Sequence, residues 1–162
     1  PESDPAGIRS AGSAREAYSM IARKKAKYFS RGDNSGTHKK EMSVWEETGI
    51  NPEGSWYVVT NDFMGPTLIR ADAEQGYFMT DSSTFFAKKS DIKGLKILFR
   101  GDPVLINVYH ALAAGEGEDS KDVYSLVIKF IGYIKSEEGQ RIVREYGEKE
   151  YGYALYLSLI HI

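Results

Sequence analysis

The chain has 162 residues, of which 41% are hydrophobic and 27% are charged, a balance typical of a folded globular protein. Its net charge of −2 and pI near 6.0 argue against a nucleic-acid surface, which usually carries an excess of basic residues. The absence of cysteine excludes disulfide bonds, thiolate metal sites and cysteine nucleophiles. No apolar run is long enough to span a bilayer, so we expect a chain that is not itself membrane-spanning.

The beginning of the chain carries no targeting signal. It opens on a loop-like stretch, Pro1 to Pro5, without methionine. We therefore expect the sequence to start partway through a longer protein. The missing signal peptide then carries no information about location.

The first hundred residues alternate between strand and helix patterns. Strands are predicted at residues 28–30, 56–60 and 77–80. Helices are predicted at residues 13–25, from Ser35 or Gly36 to Gly49, at 68–73 and at 84–88. The second of these helices is expected to bury Met42, Val44 and Trp45. Strands that alternate with helices through short loops predict an α/β lobe with a parallel sheet.

The pattern changes from residue 95 onward. Two further strands are predicted at residues 95–99 and 104–109, and a helix is expected to begin at Ser120 after an acidic segment. That helix carries an apolar stripe at helical spacing, formed by Val123, Leu126, Val127, Phe130, Ile131 and Ile134. Ser136 should cap another helix. These helices need a sheet to cover them, and the upstream strands are committed to the other lobe, so we expect a partner surface to be missing.

The clearest functional signal lies between the first strand and the second helix. A helix start offers free backbone N–H groups and a partial positive charge, which suits an anion. Gly32 and Gly36 let the backbone approach a ligand closely. Ser35 and Thr37 supply hydroxyl donors, and Arg31 supplies a planar fork of N–H donors. This combination predicts an oxyanion-binding loop.

Taken alone, the segment has a simpler interpretation, in which Ser35 is only a helix cap and Arg31 a solvated loop residue. Two further strand-to-helix loops, at residues 61–67 and 81–84, favour binding. In a parallel sheet all three loops open on the edge where ligands bind.

Other phosphate and catalytic motifs are absent from the sequence. Gly36 is followed by Thr37 and His38, so the Lys-Ser/Thr of a Walker A loop is missing. Asp62 and Asp81 follow strand ends, where catalytic carboxylates occur, but helix caps and turns use aspartate far more often. No arrangement of residues suggests a nucleophile with its base.

The loop also resembles a known family. Residues 30–41, SRGDNSGTHKKE, are similar to the signature segment of tungstate-binding periplasmic proteins of tungstate ABC transporters. The similarity continues in order at residues 49–57, 64–68, 80–81, 101–107 and 136–140, so that it covers roughly residues 4–152. Two features depart from the family pattern: Ser82 and Ser83 stand where an arginine and a small residue are expected, and residues 157–162 do not resemble a family terminus.

The resemblance implies a type II periplasmic-binding fold, in which two α/β lobes close on the anion. Residues 1–100 would form the second lobe with the anion-binding loops. Residues 101–162 would supply a crossover strand and the C-terminal helices of the first lobe, whose N-terminal strands are absent here. The family also implies contacts from Arg31, Thr37 and backbone N–H groups near Gly65. With the loop residues and motif positions, the candidate anion-binding set is Ser30, Arg31, Ser35, Gly36, Thr37, Gly65 and Thr67.

The function implied by the resemblance is capture of tungstate or molybdate and delivery to the membrane permease of an ABC transporter, without enzymatic activity or cofactor. The full-length protein is expected to be a monomer, periplasmic or anchored outside the membrane. One alternative is a phosphate-binding protein that uses Asp33 as acceptor for the phosphate proton, although we interpret Asp33 as a loop-stabilising residue. A more distant alternative is an α/β enzyme that acts on a phosphorylated or sulfated substrate through Asp62 or Asp81.

Overall fold

The computed structural model describes residues 1–115 and 121–156. Ser120 and the terminal segment 157–162 therefore lie outside the described residues. The chain divides into two compact units, Pro1–Asn107 and Val108–Ile162, each considered by itself below. The assignment of residues 1–100 and 101–162 to two lobes of the family fold stays a prediction.

The first unit is built on a three-stranded parallel sheet in the order β2-β1-β3. Its strands are β1 (Tyr28–Ser30), β2 (Tyr57–Val59) and β3 (Tyr77–Phe78). Its helices are α1 (Ala14–Lys24), α2 (Gly36–Thr48), α3 (Met64–Ala73) and α4 (Ser82–Ala87), with a 3-10 turn at Ile8–Ser10. The predicted α/β class, parallel sheet and alternation of elements are confirmed.

The predicted starts of α1 and α2 are confirmed, because their capping side chains are engaged. The Ser13 hydroxyl accepts the Glu16 N–H at 3.1 Å at the start of α1. The Ser35 hydroxyl accepts the His38 N–H at 3.4 Å at the start of α2, and Gly49 ends that helix in the left-handed conformation. The other two helices begin earlier than predicted, α3 at Met64 rather than Leu68 and α4 at Ser82 rather than residue 84.

The core lies on both faces of the central strand β1. Tyr28 faces α1 and α2, where its hydroxyl lies 2.7 Å from that of Tyr18 and its ring packs edge-on against Trp45. Phe29 is completely buried on the opposite face, in a cluster with Leu68, Ala71, Phe85, Ile92 and Leu95. A strand covered on both sides is typical of a parallel sheet between helix layers. Both layers therefore meet at β1.

One predicted core position in α2 is wrong. Val44 and Trp45 are buried as expected, but Met42 is 38% exposed and Glu41 takes the buried position instead. Glu41 lies three and four residues before Val44 and Trp45, the spacing that places all three on one helical face. A prediction based on apolar residues alone therefore chose Met42, because the residue that faces the core at this turn is charged.

The two strands predicted at residues 95–99 and 104–109 are wrong. The crossover strand implied by the resemblance stays a prediction, together with the lobe assignment. Residues 95–99 lack regular structure; Leu95 packs into the Phe29 cluster and Leu98 into the Tyr28 cluster. Proline 103 has no N–H for a ladder, and Pro103–Leu105 forms a 3-10 turn. Asp102 fixes that turn by accepting the N–H groups of Val104 at 3.0 Å and Ala14 at 2.8 Å. Side-chain packing and capping thus replace strand pairing here.

The second unit contains α5 (Lys121–Lys135), α6 (Glu137–Glu145) and α7 (Glu148–Tyr151). Ser136 caps α6 as predicted, accepting the Gly139 N–H at 3.2 Å. The apolar stripe of α5 is only partly covered within the described residues. Leu126 is 64% exposed and Phe130 is 61% exposed, whereas Val127, Ile131 and Ile134 are partly buried. Across residues 1–115 and 121–156, no helix combines the length and apolar character needed to cross a membrane.

The core of the first unit predicts a contrast between two neighbouring residues of α3. Leu68 is 1% exposed and Ile69 is 42% exposed. Leu68→Ala should lower the free energy of unfolding by about 2–5 kcal/mol, because it leaves a cavity beneath Phe29. Ile69→Ala, the matched control, should cost less than about 1 kcal/mol. Urea unfolding followed by circular dichroism checks both; equal losses would contradict the arrangement of this core.

Candidate anion-binding site

The three parallel strands end at one edge of the sheet, and each is followed by a loop and a helix. β1 leads to α2 through residues 31–35, β2 leads to α3 through 60–63, and β3 leads to α4 through 79–81. The carboxyl ends of parallel strands are the usual ligand-binding edge of α/β sheets. The predicted juxtaposition of the three loops is therefore confirmed.

The start of α2 presents backbone donors at this edge. The first N–H groups of a helix have no partner within the helix. The Ser35 hydroxyl takes the N–H of His38, and the Ser35 carbonyl takes that of Lys39. The N–H groups of Gly36 and Thr37 have no acceptor among the described residues. They are available to an anion, together with the half-buried Thr37 hydroxyl.

The start of α3 adds a second pair of donors. Its first turn has no side-chain cap, and the N–H groups of Met64 and Gly65 find no acceptor in the part of the chain that is described. Thr67 lies deeper, 1% exposed, and its hydroxyl is 2.8 Å from that of Thr60. Thr60 in turn donates to the Ser30 carbonyl at 3.1 Å. Gly65 thus faces the edge, whereas Thr67 joins β1, β2 and α3 beneath it.

Arg31 is held at the edge by two contacts within the loops. Its Nε donates to the Asp62 carbonyl at 3.4 Å, and its Nη2 forms an ion pair with Asp33. Its side chain is 12% exposed. The remaining guanidinium N–H donors have no partner within residues 1–115 and 121–156. Arg31 is therefore fixed in place with part of its fork free to bind an oxyanion.

Asp33 has the loop-stabilising role expected of it. Its Oδ1 accepts the Ser35 N–H at 3.2 Å, and its Oδ2 pairs with Arg31. Desolvation acts to raise the pKa of Asp33, but hydrogen bonds from Ser35 and the charge of Arg31 outweigh it and lower the pKa below its usual value. Asp33 is therefore ionised and links Arg31 to Ser35, the residue that caps α2.

A glycine makes the close approach of two loops possible. Gly32 has φ +67°, and a Cβ there would lie 2.3 Å from Cγ1 of Val59 and 2.9 Å from Oδ1 of Asn61. Any larger residue would therefore push the β1 loop away from the end of β2. Gly36, by contrast, has only an ordinary contact, at 3.8 Å from Oδ1 of Asn107.

Ser30 lies beneath the loops rather than at their surface. It is completely buried, and its hydroxyl donates to Oε2 of Glu41 at 2.9 Å. Its carbonyl accepts the N–H of Thr60 at 2.9 Å. The role predicted for Ser30, direct contact with the anion, stays a prediction; the structure shows its hydroxyl proton directed to Glu41.

Glu41 is the polar residue of this region that the sequence interpretation missed. It is 2% exposed, and besides Ser30 it accepts Trp45 Nε1 at 3.2 Å and the Tyr57 hydroxyl at 2.8 Å, both on Oε1. Burial raises the pKa of Glu41 to about 7, although the three hydrogen bonds act to lower it. The signal that could have revealed it is its position on the buried face defined by Val44 and Trp45.

The second and third loops each contain an aspartate that accepts backbone N–H groups nearby. Asp81 caps α4 by accepting the Thr84 N–H at 2.7 Å and the Thr84 hydroxyl at 2.9 Å. Oδ1 of Asp62 accepts the N–H of Phe63 at 2.7 Å. Among the described residues, no group of three or more His, Asp or Glu side chains could hold a metal ion. Both aspartates suggested for an enzyme thus serve local backbone geometry.

The burial of Glu41 predicts how stability depends on pH. The folded-state pKa of about 7 exceeds the ordinary value of 4.5, so the folded protein holds this proton more tightly than the unfolded chain. The stability contributed by this bound proton is fully present below about pH 4.5 and is lost as the pH rises through about 7. Glu41→Gln should remove this loss, and by pH 8 the variant should have gained on the order of 3 kcal/mol relative to the wild type. Urea unfolding at pH 5 and pH 8 measures it; parallel pH profiles would contradict it.

The chain is similar to several known proteins. The tungstate-binding protein TupA of Peptoclostridium acidaminophilum is 38% identical over 140 residues, 86% of this chain and 49% of that protein. The structure of tungstate-binding protein TupA from Desulfovibrio alaskensis aligns with a TM-score of 0.83 at 35% identity, over 98% of this chain and 64% of that one. The structure of the tungstate ABC transporter from Geobacter sulfurreducens aligns with a TM-score of 0.75 at 35% identity. That alignment covers 90% of this chain and 62% of the other.

These matches confirm the resemblance to tungstate-binding proteins and the fold class inferred from the sequence. The chain spans about half the length of the curated relatives it matches. A family model described as a PBP superfamily domain matches residues 1–138, most of the chain. The chain therefore belongs to the PBP superfamily.

Proposed function

We propose that this protein captures tungstate or molybdate and delivers it to the membrane permease of an ABC transporter. The observation that carries the proposal is the convergence of two pairs of helix N–H groups, at Gly36–Thr37 and Met64–Gly65, on the edge that also holds Arg31. None of these four N–H groups has an acceptor among the described residues. Helix starts and a guanidinium together favour a compact dianion. We further propose that the protein is a binding protein rather than an enzyme.

The chemistry of the donors favours an unprotonated oxyanion. Tungstate and molybdate are fully deprotonated near neutral pH, so a site for them needs donors and no acceptor. A phosphate that keeps a proton would need a carboxylate to receive it, and Asp33 is the candidate in the loop. Both oxygens of Asp33 already accept from Ser35 and Arg31. This engagement supports the tungstate or molybdate reading over the phosphate alternative.

The similar proteins support the same class of ligand. Two of them are named tungstate-binding protein, and one structure is described as a tungstate ABC transporter. Since the chain spans about half of its curated relatives, the permease partner and the extracytoplasmic location are part of the proposal. We also propose that the candidate residues serve the anion site at two levels. Arg31, Ser35, Gly36, Thr37 and Gly65 would form the binding surface, and Ser30 and Thr67 would support it from below.

Arg31 gives the first test of the binding site. A hydrogen bond to a charged group contributes about 1.5–3 kcal/mol, so Arg31→Ala should weaken tungstate binding by about tenfold or more. Arg31→Lys, which keeps the charge but loses the planar fork, should fall between wild type and alanine. Calorimetry on the full-length protein measures the affinities. Arg23→Ala, at an exposed position of α1, is the control and should bind like the wild type. Unchanged affinity in Arg31→Ala would contradict the proposed contact.

Asp33 separates the tungstate and phosphate readings. If the site offers only donors, phosphate should not compete with tungstate even in large excess. Asp33→Asn should neither abolish nor improve tungstate binding, because the amide oxygen can still accept the Ser35 N–H. Competition calorimetry with inorganic phosphate checks this. Competition at comparable concentrations that disappears in Asp33→Asn would instead support a phosphate-binding protein.

A further inference from the structure

Glu41 connects the three elements that form the candidate site. It belongs to α2, one helical turn after the free N–H groups of Gly36 and Thr37. Its Oε2 accepts from Ser30, the last residue of β1, at 2.9 Å. Its Oε1 accepts from Tyr57, the first residue of β2, at 2.8 Å. One carboxyl group thus joins α2 to the last residue of β1 and the first residue of β2.

The buried position of Glu41 lowers the stability of the fold, which suggests that the residue is kept for a function. A buried carboxylate is destabilised by desolvation, and no lysine or arginine of the described residues pairs with it. An apolar residue of similar size would normally suit a site that is 2% exposed. Its three hydrogen-bond partners, Ser30, Trp45 and Tyr57, all donate to it, so a hydrogen-bond acceptor is required at this position.

We propose that Glu41 is a positioning residue of the oxyanion site, which holds α2 against the carboxyl end of β1 and the start of β2 and directs the hydroxyl of Ser30. The inference rests on the function proposed above. It assigns to Glu41 no contact with the anion; Glu41 acts through Ser30 and through the placement of the α2 amides next to Arg31.

The proton on Glu41 decides the direction of the Ser30 hydrogen bond. When Glu41 is ionised, the single hydroxyl proton of Ser30 is donated to Oε2. When Oε2 carries a proton, it can donate to Ser30 instead, and the Ser30 hydroxyl proton is free to turn elsewhere. Oε1 keeps its bonds from Trp45 and Tyr57 in both states. The protonated state therefore offers one more donor beneath the loop and one less negative charge near a dianion.

The groups that face Glu41 add no competing charge near neutral pH. They are the hydroxyls of Tyr18 on α1, Tyr28 on β1 and Tyr57 on β2; burial and the proximity of Glu41 raise the pKa of each above its usual value. Ser30 and Trp45 do not titrate. Since the pKa of Glu41 lies at about 7, its proton is the one in this cluster that changes near neutrality. Anion binding should therefore be coupled to uptake of this proton.

The test compares wild type, Glu41→Gln and Glu41→Leu in the full-length protein, by calorimetry with sodium tungstate between about pH 6 and pH 8.5. In Glu41→Gln, the side-chain oxygen can still accept from Trp45 and Tyr57 while the NH₂ group donates to Ser30. The glutamine side chain therefore mimics a protonated carboxyl group. Wild-type affinity should fall severalfold as pH rises through about 7, and buffers of different ionisation enthalpy should reveal proton uptake. Glu41→Gln should retain the low-pH affinity across the range and lose that proton uptake. Glu41→Leu should bind weakly at every pH.

A second variant keeps the proposal testable if the substitutions at Glu41 prevent folding. Tyr57→Phe removes one donor to the carboxylate, so it should raise the pKa of Glu41 and move the midpoint of the affinity profile to higher pH. A residue that only filled space would give no such movement. Flat and identical pH profiles in wild type, Glu41→Gln and Tyr57→Phe would overturn the inference, even if Arg31→Ala still lost binding. No tungstate binding by the wild type would overturn the proposed function itself.

Discussion

The pairing of β1 with a parallel neighbour on each side is the constraint on which the rest of this structure depends. Tyr28 and Phe29 are in register with residues of both β2 and β3, so β1 cannot move without both neighbours. The helices on one face pack on Tyr28 and those on the other pack on Phe29. Because all three strands run in one direction, their loops meet at one edge. The position of every candidate anion-binding residue follows from this pairing.

The candidate site combines a rigid base with unsatisfied donors at its surface. Beneath the loops, Thr60, Thr67 and Ser30 form a continuous set of hydrogen bonds between the strand ends and α3. Above them, the first N–H groups of α2 and α3 lack acceptors among the described residues. Buried polar groups that are fully paired rigidify their surroundings, whereas unpaired donors at a surface await water or a ligand. Paired groups beneath and unpaired donors above suit an anion site, because donors that are held in place do not have to reorganise when the ligand binds.

Local patterns in the sequence predicted the parts of this fold that are decided locally. The caps at Ser13, Ser35 and Ser136 and the three strands of the first unit follow from short-range signals, and the structure contains all of them. Residues 95–99 are as apolar as a strand, but packing of Leu95 and Leu98 rather than ladder pairing determines their conformation. Side-chain packing of that kind is not encoded in a short window.

The candidate site was predicted unevenly for the same reason. Arg31, Gly36 and Thr37 are neighbours in sequence at a strand-to-helix junction, so their chemistry could be recognised from the pattern alone. Glu41 was missed, because a charged residue within an amphipathic helix normally indicates the solvated face, although its spacing from Val44 and Trp45 places it on the buried one. Its burial depends on Ser30 and Tyr57, which are contributed by two different strands. Only the three-dimensional contacts show which donors satisfy its carboxyl group.

The aromatic cluster beside the sheet has a spectroscopic consequence. The chain contains two tryptophans, and both lie in this cluster, with ring centroids 5.8 Å apart. The indole nitrogen of Trp45 donates directly to Glu41, and the ring of Trp45 also packs against Tyr18, Tyr28 and Tyr57. A charge that appears or disappears at Glu41 must shift the energy of the indole excited state, whose dipole differs from that of the ground state. The protein therefore carries its own optical probe of the region beneath the anion loops, and its intrinsic emission can be followed without any attached dye.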